Sequence, residues 1–132
     1  MAENNAFIPF TVILLIAIFT HSVHSAPQSI DVQLDYLARI IYAEARGEPY
    51  LGQVAVGAVV LNRVRSPLFP NTIEKVLFEK HAFQPIQNGQ FHGTPNDTAY
   101  RAAREALEGH DPTGGALYFY NPAKVRAGNW IW

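Results

Sequence analysis

The chain contains no cysteine. Disulfides, thiol catalysis and cysteine-ligated zinc are therefore excluded, and the fold must be held together by packing alone. Histidine is also sparse. Of five, only His81, His92 and His110 lie beyond the first 25 residues, and none of these stands three to five residues from another. No helical metal-ligand pair exists, so these histidines are expected to be ordinary surface or core residues, with no metal and no cofactor. Basic charge is not in excess: ten Lys and Arg face eleven Asp and Glu, a formal net charge of -1. Nothing in that balance displaces phosphate counterions, so no nucleic-acid partner is expected. No apolar run is long enough to cross a bilayer comfortably. The longest covers residues 8 to 19, against the roughly 20 residues a spanning helix needs.

That run instead suits the hydrophobic region of a signal peptide. Val23-His24-Ser25 follows it, with small residues at the minus-three and minus-one positions. Residues 1–25 are read as a signal peptide cleaved after Ser25, giving a secreted product that touches membrane only during export. An uncleaved anchor is the alternative, because residues 1 to 7 carry no Lys or Arg and Glu3 offsets the amino terminus. The rest suffices for one small domain, read as a monomer. Its 48% hydrophobic and 16% charged content is that of a globular protein.

After a short lead-in at 26–33, the apolar residues Leu34, Leu37, Ile40, Ile41 and Ala45 fall at helical spacing. A first helix is predicted from Asp31 to Arg46, with Asp31 as N-cap or first-turn acid, ended by Gly47 and Pro49. A second is predicted from Leu51 to Arg65. It is apolar nearly all round, which marks a buried helix, and Gly57 inside it predicts a close helix–helix contact. Asn71 with Glu74 resembles a capping box opening a short helix through Phe78. Residues 79 to 95 read as a long irregular connection, a kind of loop that is often functional. Asn96 or Asp97 caps a further helix reaching Leu107 and ending at Gly109. After a turn at Asp111–Gly115, Ala116 to Tyr120 reads as an aromatic strand.

Glu44 is the residue best suited to chemistry. Partial burial and the negative end of the helix dipole both oppose ionisation there, which is what a general acid at neutral pH requires. A solvated helix-end glutamate has the same spacing. Glu48 lies four residues on, but Gly47 and Pro49 predict that it turns off the face carrying Glu44. The loop with Phe83 and Gln84, and the aromatic segment with Tyr118 and Tyr120, could wall a cleft in which aromatic rings pack on sugar C–H faces. Phe119 is the better core residue. Arg46, Arg63 and Arg65 read as surface charges or ion pairs.

Six stretches carry a resemblance. Tyr42-Ala43-Glu44-Ala45-Arg46-Gly47-Glu48-Pro49-Tyr50 leads into Gly52-Gln53-Val54-Ala55-Val56 and Val60-Leu61-Asn62-Arg63-Val64. Phe69-Pro70-Asn71-Thr72-Ile73 and Ala82-Phe83-Gln84 follow, then Asp111-Pro112-Thr113-Gly114-Gly115-Ala116-Leu117-Tyr118-Phe119-Tyr120-Asn121-Pro122. In this order they closely resemble the germination-type cell wall hydrolases, the spore cortex-lytic enzymes, over about residues 34–132. The resemblance implies an α+β, mostly α fold: a lysozyme-like helical domain with a small C-terminal strand region. It implies cleavage of peptidoglycan glycan strands by a lytic transglycosylase or muramidase. Glu44 would be the catalytic acid, with Glu48, Gln53, Phe83, Gln84, Tyr118 and Tyr120 meeting substrate, and no metal or organic cofactor. Family members carry more chain beyond the matching Trp-Ile segment, so the domain is expected to be short at its C-terminal end. That leaves a second reading, a non-catalytic peptidoglycan-binding module of the same fold, and a third, a membrane-anchored structural protein.

Overall fold

The computed structural model describes residues 28–119. The expected signal peptide, the lead-in up to Pro27, and Tyr120 onward lie outside the described residues. Five α-helices follow in order: α1 (Ile30–Ala45), α2 (Tyr50–Arg65), α3 (Ile73–Leu77), α4 (Gln84–Gln87) and α5 (Asp97–Leu107), with a 3-10 turn at Gln90–His92 before α5. The described residues contain no strand, and Ala116–Phe119 runs as irregular chain where a strand was expected. None of the described helices is long and apolar enough to cross a membrane.

α1 starts one residue before the expected position, because Ser29 is the N-cap and Asp31 sits in the first turn. It buries Leu37, Ala38, Ile40, Ile41 and Ala45. α2 is buried on most of its circumference, as its composition requires. The two form an antiparallel hairpin, and α5 packs across both. α5 meets them with a stripe of alanines, Ala99, Ala102, Ala103 and Ala106, all buried. Small residues allow the backbones to close. A Cβ added at Gly57 would stand 3.0 Å from the Ala106 Cβ and 3.1 Å from Ile41 Cδ1, so Gly57 is the close contact its sequence position predicted.

α3 is capped differently from expectation. Thr72, in an extended conformation, accepts from the Lys75 N–H through its hydroxyl. Glu74 does not reach back to the cap: it accepts from Gln28 Nε2 at 2.9 Å and from the Tyr36 hydroxyl at 3.4 Å. The helix stops at Leu77, with Phe78 as C-cap. The connection from 79 to 95 is less irregular than its composition suggested. Pro85 stands in the first turn of α4, where its missing N–H costs nothing, and Gly89 supplies the positive φ of 79° that opens the 3-10 turn. That turn drives Phe91 into the core, where it stacks on Tyr36 and meets Phe78 edge-on.

Candidate active site

Glu44 lies half-buried in the last turn of α1. It follows Leu37, Ile40 and Ile41 at helical spacings, and all three are fully buried. The acid therefore continues the inward face of the helix to its end. The hairpin register places α2 beside it. Ile41 stands opposite Gly57; one turn farther along α1 is Ala45, and one turn back along α2 is Gln53. Gln53 is thus level with the last turn of α1.

Gln53 is 5% exposed. Its Nε2 donates to the Glu48 carbonyl at 3.1 Å. This contact orients the amide, because the flipped form would set two carbonyl oxygens against each other. Its Oε1 is buried and has no hydrogen-bond partner among the described residues. Glu48 lies past the end of α1, where its N–H donates to the Ala45 carbonyl at 2.9 Å and closes the turn. Gly47 and Pro49 foretold that exit from the helix.

Gln53, Val56, Val60 and Arg63 recur at intervals of three and four, so they share one face of α2. At its far end Arg63 is buried, at 7% exposure, which overturns its reading as a surface charge. Its guanidinium carbon lies 5.1 Å from the Phe69 and Phe83 ring centres and 5.3 Å from that of Tyr118. Nε donates to the Leu117 carbonyl at 2.8 Å. Burial pulls the Arg63 pKa below the usual guanidinium value, and the ring faces offset part of that desolvation. Next to it, Asn62 Nδ2 donates to Asp111 Oδ2 at 2.9 Å and to the Ala116 carbonyl at 3.1 Å. Asp111 also accepts from the Thr113 N–H and hydroxyl and from the Gly115 N–H. Hydrogen bonds from Thr113 and Asn62 hold its carboxyl far below the usual carboxylate range.

The other acids with resolved partners have structural tasks. Asp35 pairs with Arg39 at 2.7 Å and accepts from the Tyr100 hydroxyl, tying α1 to α5. Glu105 accepts from the Tyr50 hydroxyl at 2.6 Å and pairs with His110 at 3.1 Å. No group of three or more His, Asp or Glu among the described residues is placed to hold a metal ion.

The expected site residues fall into two groups. Gln53 meets the Glu48 backbone at the hairpin, with Glu44 in the last turn of α1 before it. Phe83 and Tyr118 gather on Arg63, ten residues along α2 from Gln53, a rise of about 15 Å. Phe83 is 3% exposed beneath that cation, whereas Tyr118 is 72% exposed. Phe119, expected in the core, is 37% exposed and stacks on Phe83. Gln84 is an exposed residue at the start of α4, and Tyr120 lies outside the described residues. Sequence reasoning missed the anchoring role of Asn62 and Arg63. The available signal was position: Arg63 follows Val56 and Val60 on an inward-facing stripe.

Comparison with known proteins identifies relatives of the chain. A family model described as Cell Wall Hydrolase matches residues 47–132. The chain is 54% identical over 102 residues to a spore cortex-lytic enzyme of Bacillus cereus, covering 77% of this chain and 38% of that protein. It therefore spans well under half the length of that relative. It is 30% identical over 95 residues to the cell wall hydrolase CwlJ of Bacillus subtilis, covering 67% of each. Among solved structures it resembles the catalytic domain of the Bacillus cereus SleB protein, with a TM-score of 0.67 and 50% identity over 74% of this chain and 77% of that one. The catalytic domain of the germination-specific lytic transglycosylase SleB from Bacillus anthracis gives a TM-score of 0.66 and 51% identity, over 73% and 79%. The chain belongs to the cell wall hydrolase family.

Proposed function

We propose that this chain cleaves peptidoglycan glycan strands between a muramic acid unit and N-acetylglucosamine, as a lytic transglycosylase with Glu44 as its acid. The observation that carries the reading is the half-buried Glu44 at the hairpin, level with Gln53, in a chain of this family. A hydrolase of two carboxylates needs a second acid about 5–5.5 Å away for retention or about 6.5–9.5 Å for inversion. Asp35, Glu74, Glu105 and Asp111 are occupied with tyrosines, an arginine, amides and a turn, and Glu48 sits beyond the end of the helix. One acid suffices if the sugar supplies the nucleophile.

In that reaction Glu44 protonates the glycosidic oxygen as the C1–O bond breaks. The resulting carboxylate then takes the proton of the muramic acid C6 hydroxyl as its oxygen attacks C1. Holding the C6 hydroxyl and C1 in one residue makes the attack intramolecular, with the gain that proximity brings. The product carries a 1,6-anhydro end. The lysozyme-like fold, Glu48, Gln53, Gln84, Tyr118 and Tyr120 as substrate contacts, a role in spore cortex breakdown, and an exported monomeric product complete the proposal. Phe83 enters it as support for the Arg63 and Tyr118 wall, because it is buried.

Mass spectrometry of fragments released from purified cortex peptidoglycan tests the reading. Anhydro-muropeptides are the expected products. Reducing-end muropeptides alone would make the reaction hydrolysis, and tight binding with no release would make the chain a glycan-binding module. Amino-terminal sequencing is expected to return Ala26.

A further inference from the structure

Among the described residues Gln53 Oε1 is the buried side-chain acceptor left without a donor. A native fold rarely leaves one, since the loss is about 1–3 kcal/mol. An apolar side chain of the same length would avoid that loss. The amide is also held in place. Its other end donates to the Glu48 carbonyl, so Oε1 cannot exchange places with Nε2 without setting oxygen against oxygen. Gln53 lies on the α2 face that continues through Val56 and Val60 to Arg63, level with the helix turn that carries Glu44. An oriented, dry acceptor in that position can take a donor brought by a ligand once the side chains covering it shift.

We propose that Gln53 reads the amide N–H of an N-acetyl sugar held against Glu44, accepting it at Oε1 and thereby setting both substrate choice and the position of the scissile bond. This inference rests on the glycan-cleaving reading above. The donor is an amide N–H because the acceptor is neutral, single and desolvated. An ammonium on a de-N-acetylated sugar would enter the same site as an unpaired charge, at far greater desolvation cost. A site built around one buried hydrogen bond discriminates strongly against ligands that cannot make it.

The test uses the full chain and peptidoglycan prepared in two forms, native and chemically de-N-acetylated. Wild type is expected to favour the native glycan. In Gln53→Met, kcat/KM on native glycan is expected to fall on the order of tenfold or more, the worth of one buried hydrogen bond. The preference between the two glycans is expected to shrink with it. The denaturant midpoint is expected to stay about level, because the orphaned acceptor goes but so does the Nε2 bond to the Glu48 carbonyl.

Gln53→Glu is the conservative partner. Protonated, its carboxyl donates to the Glu48 carbonyl and accepts from the sugar as the amide does; ionised, it repels that carbonyl. Its activity relative to wild type is therefore expected to climb as pH falls. A Gln53→Met enzyme with wild-type kcat/KM and undiminished glycan preference would overturn the inference while leaving the reaction intact. Wild-type protein that releases nothing from either glycan would overturn the reaction itself.

Discussion

The two ends of α2 treat polar groups in opposite ways. At its C-terminal end, Asn62 and Arg63 close a network with Asp111, Thr113, Gly115, Ala116 and Leu117 in which the carboxylate of Asp111 accepts at both oxygens. At its N-terminal end, Gln53 satisfies one atom of its amide and leaves the other buried without a partner, beside the turn that holds Glu44. Complete pairing stabilises a turn and holds it in one position. Incomplete pairing costs stability and persists where an incoming molecule completes it. The first end is a staple, and the second is where the proposed sugar contact falls.

The sharpest break in that comparison is at Glu44. Replacing it with Gln is expected to lower the rate of muropeptide release by about 10²–10⁴-fold, the usual worth of a general acid. Glu48→Gln is expected to cost much less, a few-fold by comparison, because Glu48 lies off the helix that carries the acid. A Glu44→Gln enzyme that retains full activity would move the acid elsewhere.

The staple end should respond in stability rather than in chemistry. Asp111→Ala removes the acceptor of Asn62, Thr113 and Gly115 and is expected to lower unfolding free energy by about 2–3 kcal/mol, as for several partly solvated charge-assisted bonds. Urea denaturation of the two proteins measures it. Acid should loosen the same end. Asp111 and Asp35 both titrate below the ordinary value of 3.8 in the folded chain, held down by Thr113 and by Arg39 respectively. Unfolded carboxylates then take up protons before folded ones do, so stability is complete above that value and drains away as pH falls beneath it. The midpoint is expected to be level from pH 7 to about 5 and to drop below about 4, with a shallower drop in Asp111→Asn.

Much of this fold was legible because its signals are local. Apolar spacing marked α1 and α2, Asn96 and Gly109 bracketed α5, and the Gly47–Pro49 break separated Glu48 from Glu44. Errors came where partners lie far apart in sequence. Asn71 and Thr72 can both cap a helix, and Glu74 was drawn from the cap by Gln28 and Tyr36, some forty residues away. Arg63 looked like a surface charge because its ring partners come from three separate stretches, at 69, 83 and 118. Phe83 looked like a cleft wall for the same reason. The half-buried position of Glu44 was legible from its place at the end of an amphipathic helix. The orphaned oxygen of Gln53 was not, since a missing partner is visible only in three dimensions.

The smallest expected effect concerns the packing that holds both ends of α2 in register. Gly57→Ala sets two terms against each other. Alanine favours helix over glycine by about 1 kcal/mol. Against this, the new methyl would lie 3.0 Å from the Ala106 Cβ and 3.1 Å from Ile41 Cδ1. The isoleucine end can rotate, but the Ala106 Cβ is fixed to the α5 backbone, so the helices must separate. Overpacking of that kind costs about 1–3 kcal/mol. The net loss is expected to be about 1 kcal/mol, within the range where the two terms nearly cancel. Ala106→Gly should also destabilise, through its own helix penalty, but it removes the fixed obstacle. The double variant is therefore expected to be more stable than the sum of the single changes allows, by about 1 kcal/mol of coupling. Additive single changes would show that α2 and α5 yield easily at Gly57, and the glycine would then not be what sets their spacing.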